Sequence, residues 1–440
     1  MKSKYKKYIR IFLLFFMIIS FDLIGDEKLV IISPHWEGVQ IEVSDAFEKW
    51  YLKNYGEKVK IEWIDQGGTS DDLKFVESLF KKNPTGIEID LFFGGGMDPY
   101  LRLKELGYLE KYKVPSQILK KIPQMCAGVP NYDKDFYWYG VVLSGFGILY
   151  NKKVLEYFSL PIPKTWKDLG RKEYFSLVGA ADPRHSGSMH MMYEIILQAY
   201  GWKEGWETIL AIAGNTKTFS SSAAQIAKDT SIGEVAVSLC IDSYALSQIE
   251  INGEENLGFF FPENLTVINP DAIGILKGAP NMEVAKKFIN FLLSYEGQLL
   301  WMLEKGKEFG PKKYSLNRFS ILPDVYNHPD LKNKYINPYK SGQTIKYNFI
   351  LATKRWDVLN DMIGCFAIDC HPYLKKAWKI VKDSENNSLK RIFFQIPFEE
   401  EEQKLLWFNW NNSIFRNQYI NEWLNFSIKK YKGIIKEKRI

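Results

Sequence analysis

Three stretches of this chain carry residues whose types and order can do chemistry. In RHSGSMHMM, Ser186, Gly187 and Ser188 stand directly before an apolar helical run. Their hydroxyls and the unbonded N–H groups of the first turn would point outward from the positive end of a helix dipole, a place that binds anions. The same residues would also serve as an ordinary N-cap, and the stretch alone leaves both roles open. In DLFFGGGMDPY, residues 90–100, a short hydrophobic strand runs into Gly94, Gly95 and Gly96. No Lys-Ser or Lys-Thr follows, so the loop is not a nucleotide P-loop. In SPHWEG, His35 and Trp36 end the first strand. Trp36 and Tyr244 (of IDSYAL) would supply flat apolar walls, and Glu37 or Asp98 a charge for a ligand amine.

Other chemistries find no support. There is no Ser-His-Asp arrangement, paired-carboxylate signature or zinc spacing, so an enzyme is not expected. Cys126, Cys240, Cys365 and Cys370 follow no metal-ligand pattern. Cys240 reads as core, while Cys365 and Cys370 in CFAIDC could pair in an oxidising compartment. His185 and His190, five apart, would not share a helix face as a metal pair. The formal charge is +6, but residues 1–25 hold five bases and one acid, which leaves about +2 for the rest. That is too weak for a nucleic-acid partner. The basic end, IKKYKGIIKEKRI, reads as a solvated helix face.

The elements that must position these residues alternate. KLVIIS, KVKIEWI and IEIDLFF read as strands, and VQIEVSDAFEKWYLKNY, with Val39, Val43, Phe47 and Tyr51 at every fourth position, and DDLKFVESLFKK as helices. Three β-α units in succession predict an α/β fold with a mostly parallel sheet. Ligands of such sheets bind past the carboxyl ends of the strands. There the loops SPHWEG, DQGGTSDD and GGGMDP would bring His35, Trp36, Thr69, Gly95 and Gly96 to one edge. DFYWYGVVLSGFGILYNKK predicts a long strand whose apolar pattern is interrupted by Ser144 and Gly145, and a second α/β lobe follows. NLTVINPDAIGILKG reads as extended, and NMEVAKKFINFLLSYEGQLLWML as one amphipathic helix. After Gly310 the composition turns aromatic and asparagine-rich with helical patterns, and Glu399 to Glu402 read as an N-terminal helix cap.

At the start, MKSKYKKYIR joins the apolar IFLLFFMIIS, which predicts a secretory signal over residues 1–25 and a periplasmic or extracellular protein. The apolar run from Ile11 to Phe21 is shorter than the roughly 20 residues a bilayer core needs.

In this order, the HWEG strand end, GGTSDD, IDLFFGGG, LSGFGILYN, ADPRHSGS before a helix, GEVAVSLCIDSYA and NPDAIGILKGAPN resemble an extracellular solute-binding protein of a bacterial ABC importer. The similarity spans about residues 28–310 and is nearest to the ferric-iron branch. It implies a type II two-lobed clamp: lobe 1 over 26–143, completed by 264–310, and lobe 2 over 144–263. Crossing strands would run near residues 143 and 263, and residues 311–440 would form a helical C-terminal extension. It implies a monomer that closes on a small solute and then docks on an inner-membrane ABC permease.

The resemblance also carries expectations for the site. A Ser-Gly step like Ser186-Gly187 contacts the anion held with iron in that branch, and Ser221 and Ser222 fall where the branch has a second anion contact. They could equally start a helix. His35 and Tyr244 would ligate iron, should the ligand include it. One of the branch's paired tyrosines is Ser243 here, and its carboxylate ligand is missing from the GGGM stretch. Asp98 or Asp242 could substitute, though each also reads as a cap. The expected ligand is therefore a phosphate- or carboxylate-bearing organic anion in preference to bare ferric iron, with no resident cofactor. The glycine loop would make room for it. A sensor or adhesion module on the same clamp, with the extension as its partner surface, is the reading of another class.

Overall fold

A computed structural model describes residues 27–331, 337–340 and 344–437 of this protein. The predicted signal segment lies outside the described residues. Three β-α units open the chain. Strands β1 (Glu27–Ile32) and β2 (Val59–Ile64) run parallel in register, and β3 (Leu91–Phe93) lies parallel on the other side of β1. Because side chains alternate across a strand, Leu29, Ile31, Leu91 and Phe93 enter one core and Val30, Ile32 and Phe92 another. Helix α1 (Glu37–Tyr55) covers the first face with Val39, Val43, Phe47 and Tyr51, the stripe read from the sequence. Helix α2 (Thr69–Lys82) covers the second with Leu73, Val76 and Phe80, and α3 (Asp98–Glu105) follows β3.

Strand β4 (Tyr139–Asn151) joins the lobes. Ser144 and Gly145, which interrupt its apolar pattern, lie within the strand. The strand stays extended through both and changes only its lateral partners, which no local pattern reveals. Its first half pairs with antiparallel β9 (Ile268–Ile275), with Asn269 opposite Ser144 and Ile268 opposite Gly145. Its second half pairs with β7 (Val237–Ile241), from Phe146 opposite Ile241 to Tyr150 opposite Val237. Strands β5 (Val178–Ala181), β6 (Thr216–Ser220) and β8 (Leu257–Phe260) complete the second sheet. The chain passes back between the sheets after Phe260, opposite Ile148, and before Ile268, opposite Gly145, an interval that contains residue 263. Helices α4 (Gly187–Asn215, kinked at Gly201), α5 (Ala223–Ser231) and α6 (Asp242–Asn252) belong to this lobe.

The helix expected after Asn281 is two helices, α7 (Met282–Leu292) and α8 (Tyr295–Met302). The Ser294 hydroxyl accepts the Gly297 N–H and starts the second, a local bond that competes with an unbroken helix. Residues 312–331, expected in the helical extension, pack on lobe 1. The Glu42 carboxylate accepts the backbone N–H groups of Lys312, Lys313 and Tyr314, β10 (Phe319–Ser320) pairs with β4, and Leu316, Ile321 and Val325 enter the α1-side core.

The extension proper is α9 (Phe349–Ile363), α10 (His371–Val381), α11 (Asn387–Phe394), α12 (Glu400–Trp407) and α13 (Ser413–Glu437). Its core is continuous with that of lobe 2. Trp378 covers Gly214 and donates to Asn215 Oδ1 at 2.7 Å. Arg355, 1% exposed, grips fully buried Glu194 through Nε at 2.8 Å and Nη2 at 2.7 Å. From the same helix α9, Thr353 donates to Asp98 at 2.8 Å and Asp357 accepts from Arg102, both partners lying on α3 of lobe 1. One helix thus touches both lobes. Glu399 caps α12 in a capping box with Glu402, as the acid run predicts. The expected option of a Cys365–Cys370 disulfide is not realised. All four cysteines are free and buried, the Cys370 thiol donates to the Cys365 carbonyl at 3.2 Å, and burial pushes both thiols up to about 12.

Two outcomes follow for stability. Arg355→Met strands the Glu194 carboxylate in the core and should cost about 3–5 kcal/mol in urea unfolding, most of it recovered by adding Glu194→Leu. Burial pushes the Asp98 carboxyl up to about 7, against the bond from Thr353. A raised folded value means that its contribution is full below the unfolded value near 4 and is lost as pH rises through about 7. Asp98→Asn should therefore flatten melting temperature against pH and make the protein more stable than wild type at pH 8.

Candidate functional site

Where β4 passes from one sheet to the other, the lobes enclose a cavity of about 260 Å³. Four helices begin at its wall. α1 brings His35 and Trp36, α2 brings Gly68 and Thr69, α4 brings Ser186, Gly187 and Ser188, and α5 brings Ser221, Ser222, Ala223 and Ala224. Gly95, Gly96, Ser144 and Tyr244 complete the set, while Glu37, Asp98 and Asp242, also offered by the sequence as charged contacts, do not line this space.

The two serine stretches do both things the sequence left open. Ser186 Oγ accepts the Met189 N–H at 3.3 Å and lies 3.2 Å from Ser188 Oγ, while Ser222 Oγ accepts the Gln225 N–H at 3.3 Å. Both are N-caps. The first-turn N–H groups of Gly187, Ser188, Ala223 and Ala224 have no carbonyl within their own helices and belong to residues at the cavity wall. Partial positive charge from several helix ends therefore converges on one volume.

The lobes meet along one rim. The position of a Cβ on Gly68 would fall 2.1 Å from the His185 carbonyl oxygen, and one on Gly187 would fall 3.1 Å from Thr69. His185 Nδ1 lies 3.2 Å from Asp71 Oδ2, a hydrogen-bond contact from lobe 2 to lobe 1. At Gly68 only glycine permits the approach, because the atom it meets is backbone; at Gly187 a side chain would make Thr69 shift slightly.

The floor is built on the crossing strands. Asp271 of β9 takes Arg318 Nη1 at 3.0 Å and His35 Nε2 at 3.0 Å on Oδ2, and the Gly96 N–H at 3.3 Å on Oδ1. Arg318 Nη1 also donates to Ser144 Oγ at 3.1 Å. Burial pushes the Asp271 carboxyl up, but His35 and Arg318 outweigh it and hold it well below the usual carboxylate range. Neighbouring Asn269 has a buried Oδ1 with no partner among the described residues.

This geometry changes the account of the glycine loop. Gly95 and Gly96 have φ of +87° and +80°, and a Cβ at Gly95 would lie 2.2 Å from Thr69 Cγ2. The glycines serve a left-handed backbone that aims the Gly96 N–H at Asp271 and a close approach to Thr69. A side chain at Gly95 would strike the wall, so cavity space is not what this glycine provides.

His35, expected to ligate iron should the ligand include it, already has partners on both ring nitrogens. Its Nδ1 lies 2.8 Å from Ser33 Oγ and its Nε2 is held by Asp271, so both ring nitrogens are engaged. Burial raises the Tyr244 phenol above its ordinary value. Asp98 and Asp242 are outside the cavity lining. Asp98 bonds Thr353, and Asp242 opens α6 and accepts the Gly145 N–H at 2.7 Å. Among the described residues no group of three or more His, Cys, Asp or Glu could hold a metal ion.

Sequence reasoning missed Asn269, Asp271 and Arg318. In INPDAIGI the first two sit two apart, on one face of a strand that is otherwise apolar, and that alternation was the available signal. Nothing local marks Arg318, which reaches the floor only because 312–331 fold back on lobe 1.

The chain was compared with known proteins. The family model for bacterial extracellular solute-binding proteins matches residues 87–318, more than half of the chain. The phosphoglycerate transport regulatory protein PgtC of Salmonella typhimurium is 28% identical over 295 residues, covering 64% of this chain and 69% of PgtC. Among solved structures, the periplasmic binding protein AfuA of Actinobacillus pleuropneumoniae, with fructose-6-phosphate bound, superposes with a TM-score of 0.61 at 22% identity, over 80% of this chain and 98% of AfuA. Iron-bound HitA of Pseudomonas aeruginosa gives 0.58 at 17%, over 77% and 99%. These two likenesses establish the fold, the type II clamp. With its family model, its two lobes and its interlobe cavity, the chain belongs to the bacterial extracellular solute-binding protein family.

Proposed function

We propose that this protein captures a small phosphate-bearing organic anion between its lobes, outside the cytoplasm, and delivers it to the membrane permease of an ABC importer. The observation that carries this reading is the convergence of the α4 and α5 N-termini, with Ser186, Ser188 and Ser222, on one cavity. Such ends supply N–H donors and partial positive charge to a phosphate without a lysine. The relatives add support, since AfuA was solved with a sugar phosphate and PgtC carries phosphoglycerate in its name. The cavity groups bind and orient the solute. No helix among the described residues is long and apolar enough to cross a membrane, and the predicted signal would place the protein in the periplasm or beyond. Ferric ion is the less favoured ligand, because His35 would first have to give up its contact with either Ser33 or Asp271 to free a ring nitrogen.

A thermal-shift screen tests the reading, because a solute that binds only the folded state raises the melting temperature. Sugar phosphates, phosphoglycerates or phosphonates should raise it, and ferric salt should give no visible charge-transfer band. A red complex abolished by Tyr244→Phe would establish the iron alternative. For a phosphate compound that binds, Ser186→Ala with Ser222→Ala should weaken affinity by roughly tenfold or more by calorimetry. Unchanged affinity would remove the phosphate from these helix ends.

A further inference from the structure

The cavity floor carries a donor pair that neither the serine stretches nor the helix ends explain. Arg318 is 6% exposed and lines the cavity. Its Nη1 is engaged by Asp271 and Ser144. Its Nε has no hydrogen-bond partner, and Nη2 donates to no group among the described residues. Nε–H and one Nη2–H point the same way along one edge of a guanidinium, so together they form a two-pronged fork that fits a carboxylate.

The rest of the molecule shows what this fork takes. Arg355 gives Nε and Nη2 to Glu194, Arg416 gives them to Asp361, and Arg184 gives them to Asp182. Arg102 presents the same edge to Glu77. In each case a carboxylate of the protein fills the fork. Arg318 is as buried as any of these except Arg355 and has no such side chain on that edge. Asp271 and Ser144 both occupy the other prong.

We infer that the fork of Arg318 receives a carboxylate of the bound solute, at the floor of the cavity, while its phosphate lies at the helix ends. The solute class is then a short phosphorylated carboxylic acid. This rests on the phosphate reading above and goes beyond it by naming the second charged group and the residue that selects it. Asn269, whose buried amide oxygen is unpartnered beside the same floor, can accept from a hydroxyl between the two acidic ends. A solute lacking the carboxylate leaves the fork desolvated and unbonded, which is what makes a buried donor discriminate.

The test compares 3-phosphoglycerate with glycerol 3-phosphate, which has a hydroxymethyl group in place of the carboxylate, by titration calorimetry on the full chain. Wild type should bind the acid tighter by roughly 10- to 100-fold. Arg318→Lys keeps the charge near Asp271 but has no fork, and should bring the ratio to within about threefold. Equal wild-type affinities for the two compounds overturn the assignment without any variant, and leave the phosphate reading standing. A ratio that Arg318→Lys does not change, in a protein that still melts cooperatively, also overturns it. Binding of neither compound, nor of any other phosphate solute, sinks the phosphate reading and this inference with it.

Discussion

A single strand belongs to two sheets, and the rest of the structure depends on that sharing. β4 gives its first half to β9 and its second half to β7, so the lobes are joined through continuous backbone. At the changeover its lateral partners part, and the polar side chains of Ser144 and, across from it, Asn269 are left facing the space between the lobes. The cavity is therefore a consequence of topology: helices that follow strands in either sheet start at the same level, and their N-termini must face each other. A binding protein on this plan obtains an electropositive enclosure from backbone dipoles, with few cationic side chains.

The buried charges beneath it are arranged to hold geometry. Asp271 binds His35, Arg318 and the Gly96 N–H at once, joining β1, β9, the glycine loop and the segment that folds back after α8. An ion cluster removed from water persists only when its members are all satisfied, and the incomplete edge of Arg318 stands out for that reason. Asp242, pushed up to about 7 by burial, lies across the changeover and accepts the Gly145 N–H, so a titratable group also touches the strand where the lobes would hinge.

The C-terminal helices alter the mechanical setting of the clamp. Helix α9 is held to lobe 2 by Arg355 and Glu194 and to lobe 1 by Thr353 with Asp98 and by Asp357 with Arg102. Relative motion of the lobes must rearrange one of these sets. The lobe 2 set is the more deeply buried, with Arg355 1% and Glu194 0% exposed, so the lobe 1 contacts would be the less costly set to break.

Much of this was legible in the residues. The stripe Val39, Val43, Phe47, Tyr51 announced α1, Glu399 announced its cap, and the loops after the first three strands announced the cavity edge, since these signals are short-range and periodic. Ser186 and Ser222 were readable as caps because capping is a contact within four residues. What the chain alone could not reveal lay in lateral pairing and long-range approach. The change of lateral partners along β4, the return of 312–331 to lobe 1, the meeting of Gly95 with Thr69 and the convergence of His35, Asp271 and Arg318 all join residues far apart in the chain. Local sequence determined the elements and which of their ends carry donors. Only the tertiary structure decided which charges face each other, because burial and partner distance, the two quantities that set an electrostatic interaction, do not exist until the sheets have packed.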